Sequence, residues 1–120
     1  MLQATNRLAE AEPLIRRALA IDEQSFGPAH PNVAIHLNNL ATLLQDTNRL
    51  AEAEPLSRQM VGIFLDFTRS TGHEHPNLYA ALNNYASILA DLGHSEVEIG
   101  AQIQALLAEY EVRLTEDDSE

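Results

Sequence analysis

Apolar residues along this chain return at steps of three and four, and nowhere do they alternate with polar residues over a strand's length. Leu8, Ala11, Ile15, Ala18 and Leu19 form one stripe and predict a helix from about Arg7 to Glu23. Pro13 lies inside it, where a missing hydrogen bond costs about 3 kcal/mol, so a bend is expected. Gly27 and Pro28 end that segment, and Pro31 opens a second, to about Asp46, on Val33, Leu37, Leu40, Ala41 and Leu44. After a turn at Asn48, a third helix begins near Arg49 with Leu50, Ala53, Leu56, Met60 and Phe64. A fourth, Pro76 to about Leu92, presents Leu78, Leu82, Tyr85, Ala86 and Leu89, and Gly93 closes it. Ser95 and Glu98 form an S-x-x-E capping box for a fifth, which carries Val97, Gly100, Ile103, Leu107 and Tyr110. The expectation is an all-α chain of five helices.

The pattern repeats. Thr5 to Leu14, TNRLAEAEPL, recurs letter for letter at Thr47 to Leu56, an offset of 42. Self-similarity at such a period signals a solenoid of stacked helical hairpins. Met1 to Ala4 align with Leu43 to Asp46, the end of a helix whose earlier turns are missing here, so the first repeat lacks its first helix. His30-Pro31-Asn32 recurs as His75-Pro76-Asn77 at an offset of 45, which places three extra residues between Phe64 and Gly72. Three residues is nearly one helical turn, and the third helix is expected to run longer with Phe67 on it. At an offset of 47, Gly100 falls on Ala53 and Ile103 on Leu56, giving about two and a half repeats over residues 1–113. The acidic tail, residues 114–120, is too polar to pack and is expected to be disordered.

Composition narrows the function classes. The net charge is −11, and all seven basic residues are Arg. From Asp91 onward nine acids face one base, Arg113. A nucleic-acid backbone or an anionic membrane needs positive patches, so neither is expected as a partner. There is no cysteine to form a disulfide or bind metal, and no apolar run of membrane-spanning length. The N-terminal segment lacks a signal peptide's basic head and apolar run, and a cytoplasmic location is expected. No cofactor is expected. His73-x-His75 is the one candidate half-site for a metal-dependent hydrolase, but His75 already matches His30 as a linker residue. Glu10, Glu12, Glu52 and Glu54 fall near helix starts, where acid favours the dipole.

Advancing 100° per residue from Leu37 sets Asn39, Thr42 and Asp46 opposite the core stripe, flanked by Asn38 and Gln45. The fourth helix carries the matching row Asn84, Ser87 and Asp91, flanked by Asn83. An Asn side chain offers a donor and an acceptor together, which suits the amide of an extended peptide. The alternatives are plain solvated polar residues, or Asn38 and Asn83 bonding to a neighbouring helix. With no Arg or Lys on this lining, a neutral or basic peptide fits best.

The second and third helices resemble a tetratricopeptide repeat. Leu37, Leu40, Ala41 and Leu44 follow its large–x2–large–small–x2–large pattern, and Ala53 holds its small residue. Ser57 and Met60 depart from the usual sizes and are expected to loosen that packing. The period exceeds the usual length of about 34 residues. With LNNLA at Leu37 to Ala41, EAEPL at Glu10 to Leu14 and Glu52 to Leu56, and the G-P-x-H-P linker Gly27 to Pro31, it is similar to the kinesin-light-chain type. The later linker keeps Gly72 and His75-Pro76 but loses the first proline. The resemblance implies a right-handed superhelix, a non-catalytic interaction module or scaffold, and a concave groove whose LNNLA asparagines hold peptide backbone. A structural spacer within a larger protein is the alternative. Because the first repeat lacks its partner helix, self-association through Leu8, Leu14, Ile15, Ala18 and Ile21 is also expected.

Overall fold

The computed structural model describes residues 2–27 and 29–112, with side chains from Glu10 onward. The tail expected to be disordered and the side chain of Leu8 lie outside this set. Among the described residues the elements are α1 (Leu2–Phe26), α2 (Pro31–Asp46), α3 (Leu50–Thr71), α4 (Leu78–Asp91) and α5 (Glu96–Glu109). Each helix packs on the next, and α2 also meets α4 across the turn of the repeat. The smallest dimension, 20 Å, is two helix diameters, so the array is two layers deep.

The core follows the predicted stripes on α2 and most of α4. Val61 and Leu65 of α3, Ile88 of α4 and Leu106 of α5 join it from outside those stripes, and Val97, expected in the fifth stripe, is 81% exposed. Ile15, expected on the self-association face, turns inward with Leu19 onto this core, while Leu14 and Ile21 are exposed. Leu37, Leu40 and Leu44 of α2 are buried together with Val61 and Leu65 of α3 and with Leu78, Tyr85, Ile88 and Leu89 of α4. Each large side chain so removed from water stabilises the fold by roughly 1.5–3 kcal/mol. Ser57 and Met60, expected to loosen the packing, are both fully buried. The departure shows instead as chemistry, since the Ser57 hydroxyl is enclosed with no hydrogen-bond partner among the described residues. Tyr85 donates its hydroxyl to Glu54 Oε2 at 3.1 Å. Burial, reinforced by that carboxylate, pushes its pKa up to about 12.

Turns fall on the residues able to make them. Gly27, Gly72 and Gly93 have positive φ, and Asn48 adopts φ 64° between α2 and α3. The extra residues of the second repeat lengthen α3 to Thr71, which brings the Phe67 ring onto His75. The capping box of α5 forms as read, with Glu98 N–H on Ser95 Oγ and Ser95 N–H on Glu98 Oε1.

His30 caps the start of α2, and His75 braces the turn that leads into α4. His30 Nδ1 accepts from the Asn32 N–H at 3.0 Å, and His75 Nδ1 from the Asn77 N–H at the same distance. His30 stacks on Phe26, and His75 packs against Phe64 and Phe67. A His-Pro-Asn linker therefore supplies an acceptor, a preset φ and a ring anchored on the preceding helix.

Three boundaries differ from expectation, the first being the end of α1, which runs to Phe26 rather than Glu23. The fourth helix starts at Leu78, not Pro76, because Pro76 and Asn77 form a turn closed by Leu78 N–H on the His75 carbonyl. The first helix starts at Leu2, not Arg7. In the second copy of TNRLAEAEPL, Thr47 bonds to the Leu43 and Leu44 carbonyls and Arg49 N–H reaches the Leu44 carbonyl, which turns the chain. The first copy continues its helix through the same three residue types, and Pro13 and Pro55 interrupt neither α1 nor α3.

Candidate functional site

The groove forms where α2 and α4 run side by side over α3. Its cleft, about 370 Å³, is lined by Ala34, Ile35 and Asn38 of α2, Met60 and Phe64 of α3, and Asn77, Ala80, Ala81 and Asn84 beside or on α4. Small residues on both walls open the space: alanines at 34, 80 and 81 leave Met60 and Phe64 as an apolar floor. No charged side chain lines it. The opening suits an uncharged side chain, and the amides at its edge suit a peptide backbone.

Those amides are paired. Asn84 Nδ2 donates to Asn38 Oδ1 at 2.8 Å. The bond fixes both side chains and leaves the Asn38 amide hydrogens and the Asn84 carbonyl oxygen unused by each other. One donor and one acceptor thus sit at fixed positions, the complement of a peptide unit's carbonyl and N–H. Further along the same seam Gln45 Nε2 donates to Ser87 Oγ at 3.0 Å and to Asp91 Oδ2 at 2.8 Å. Asp91, close to the negative end of its helix, is thereby held by an amide donor.

The structure divides the candidate residues into two groups. Asn38, Asn84, Ser87 and Asp91 come together along the α2–α4 seam. Asn39, Thr42, Asp46 and Asn83 are exposed, lie off the cleft, and form no side-chain hydrogen bond among the described residues. The two Asn–hydroxyl–Asp rows therefore do not line one groove in parallel. The row on α4 faces the flank of α2, whereas the row on α2 faces outward. Asn38 does bond to a neighbouring helix, but its partner is Asn84 rather than a residue outside these rows. Sequence reasoning missed Ala34, Ile35, Met60, Phe64, Asn77, Ala80 and Ala81 as cleft residues, and the available signal was the small residues beside the LNN and LNNY segments.

The histidine pair does not assemble a metal centre. His75 Nδ1 is committed to the turn that leads into α4, His73 is exposed, and no cluster of three or more His, Asp or Glu is placed to hold a metal among the described residues.

Of the four glutamates expected near helix starts only Glu52 lies in a first turn, since α1 begins at Leu2 and carries Glu10 and Glu12 well inside it. Glu12 and Glu52 instead join the two copies of the repeat. Arg49 donates to Glu12 Oε1 at 2.6 Å and to both oxygens of Glu52, while Arg16 Nε reaches Glu12 Oε2 at 3.0 Å. Hydrogen bonds from Arg49 hold the Glu12 and Glu52 carboxyls below the usual carboxylate range, with Arg16 adding to the effect at Glu12.

Comparison with curated proteins yields no match. A family model described as tetratricopeptide repeat matches residues 1–66, which takes in α1, α2 and most of α3. That is more than half of the 120 residues, and the helix pairing fits it; the chain belongs to the tetratricopeptide repeat family.

Proposed function

We propose that this chain is a non-catalytic interaction module that holds an extended peptide along the α2–α4 groove. Repeats of this family mediate protein–protein interaction. The observation that carries the finer reading is the cleft with its apolar floor and its paired Asn38–Asn84 edge. The peptide places an uncharged side chain over Met60 and Phe64, and its backbone pairs with the Asn38 donor and the Asn84 acceptor. A cleft without charged lining, in a chain of net charge −11, favours a neutral or basic segment. The 42-residue period and the LNNLA and EAEPL segments support a repeat of the kinesin-light-chain type.

A peptide array probed with the full chain supplies the ligand for the test. Asn38→Ala combined with Asn84→Ala removes two hydrogen bonds worth about 1 kcal/mol each, so affinity for the best peptide is expected to fall roughly tenfold or more. Helicity should stay as in wild type. Equal affinity in the double variant would remove the groove assignment, and an array with no hit would leave the chain as a spacer.

A further inference from the structure

One end of the groove is tied to a titratable group. His75 lies in the linker before α4, and its ring packs against Phe64 at a centroid distance of 4.5 Å and against Phe67 at 4.8 Å. Phe64 forms the apolar floor of the cleft together with Met60. His75 Nδ1 accepts the Asn77 N–H at 3.0 Å, and Asn77 lines the same cleft. The bonding continues from there: the Asn77 carbonyl accepts the Ala81 N–H at 2.9 Å, and Ala81 lines the cleft wall. A single imidazole thus touches the floor through its ring and holds the end and the wall through one nitrogen.

The matching histidine of the earlier linker is placed differently. His30 accepts the Asn32 N–H and stacks on Phe26, but neither Phe26 nor Asn32 lines the cleft. Bracing the chain is common to both linkers, whereas contact with the groove belongs to His75.

We propose that His75 is a positioning residue of the peptide groove, and that the groove holds peptide tightly only while this ring is neutral; this rests on the groove reading above. A neutral ring that accepts at Nδ1 carries its proton on Nε2. A second proton sets the N–H groups of His75 and Asn77 face to face at hydrogen-bond distance, and one of them must move. Movement of Asn77 carries Ala81 with it, and tilting of the ring disturbs its contact with Phe64. The cleft end then loses the shape that receives a side chain. Acid and peptide therefore oppose each other by linkage.

The charged and titratable groups on the surrounding elements are few. On α3, Asp66 and Arg69 pair with each other at 3.2 Å. Glu74, next to His75 in the linker, accepts the Tyr79 hydroxyl of α4 at 2.9 Å. His73 and Glu111 border the far side of the linker, with Arg69 and Glu74. Burial lowers the His75 pKa below its ordinary 6.5, so the ring is neutral at neutral pH and gains its proton in mild acid.

The first test uses the full chain alone. In heteronuclear spectra from about pH 7.5 to about pH 5, the Asn77 and Ala81 amides and the Phe64 ring should shift with the midpoint of the His75 ring. In His75→Asn, whose side-chain oxygen accepts without titrating, those shifts should vanish, and in His30→Asn they should persist. Fluorescence anisotropy with the best array peptide, resynthesised without His, Asp or Glu, reads the consequence for binding. Over that range affinity should fall about threefold or more in wild type and in His30→Asn, and should stay nearly constant in His75→Asn. Circular dichroism at each pH should show unchanged helix content. Cleft signals that ignore the His75 midpoint overturn the proposal, as does affinity that is flat in wild type or equally pH-dependent in His75→Asn. The groove reading fails by a different sign, an affinity at neutral pH indifferent to Asn38→Ala with Asn84→Ala.

Discussion

Arg49 Nη1 lies 2.6 Å from Glu12 Oε1, and those two residues come from different copies of the same ten-residue string. The repeated sequence therefore supplies both the base and the acid that join neighbouring hairpins. The pair is partly exposed, so its contribution is modest and screened by salt. Because Arg49 depresses the Glu12 and Glu52 carboxyls, the unfolded chain takes up protons first on acidification. The network's stabilisation is complete above the ordinary carboxylate value of 4.5 and is lost as pH falls below it. Melting curves from pH 6 to pH 3, run on wild type and Arg49→Ala, should converge towards the acid end and should also converge in high salt.

The later linker histidine, His75, gives a second pH dependence at higher pH. Burial lowers the His75 pKa below its ordinary 6.5, and protonation of Nδ1 would remove the acceptor for the Asn77 N–H. The unfolded chain then binds the proton more readily, so stability is full above about pH 6.5 and declines as pH falls through the lowered value. In His75→Asn a side-chain oxygen replaces the ring nitrogen and does not titrate. Its melting temperature should vary less than wild type between pH 7 and pH 5, with the loss of the Phe64 and Phe67 contacts lowering it throughout.

Ser57 is fully buried, and its hydroxyl has no partner among the described residues. Leaving such a group unsatisfied costs roughly 1–3 kcal/mol, and alanine removes it at little loss of volume. Ser57→Ala is expected to raise unfolding free energy by about 1 kcal/mol in urea denaturation. A decrease would show that the hydroxyl has a partner, such as an ordered water.

Asn6 and Asn48 share a place in the repeat but differ in backbone. Asn48 has φ 64°, a conformation costly for a residue with Cβ and without the local bonding of Asn, whereas residue 6 lies within α1. Alanine at 48 should destabilise by about 1 kcal/mol, while alanine at 6 should gain a few tenths from helix propensity. Equal effects at the two sites would mean that the first copy also turns there.

Much of the fold was legible because each helix carries its own stripe and its own punctuation. Gly27 and Gly93 mark helix ends in the sequence and have the positive φ that such ends use. The continuous start of α1 was not legible: the letters of its first turns are those of a turn in the second copy, and only the helix preceding Thr47 makes them one. The groove was half legible for a related reason. A helical wheel fixes a residue's angle to its own core but not which neighbour that angle meets. Asn38 and Asn84 stand at different angles on their own helices, yet the crossing of α2 and α4 brings them together.

The seam between α2 and α4 also has a polarity. On α4 the outer row Asn84, Ser87 and Asp91 meets the flank of α2, which contributes Asn38 and Gln45. On α4 the corresponding flank residues are Asn83 and Ala90, so one of the two amides is gone. A duplicated unit inserted ahead of α2 would find a full set of contacts waiting, whereas one inserted beyond α4 would find a single amide. Lengthening by copying is thus easier from one side than from the other, and the array has a grain.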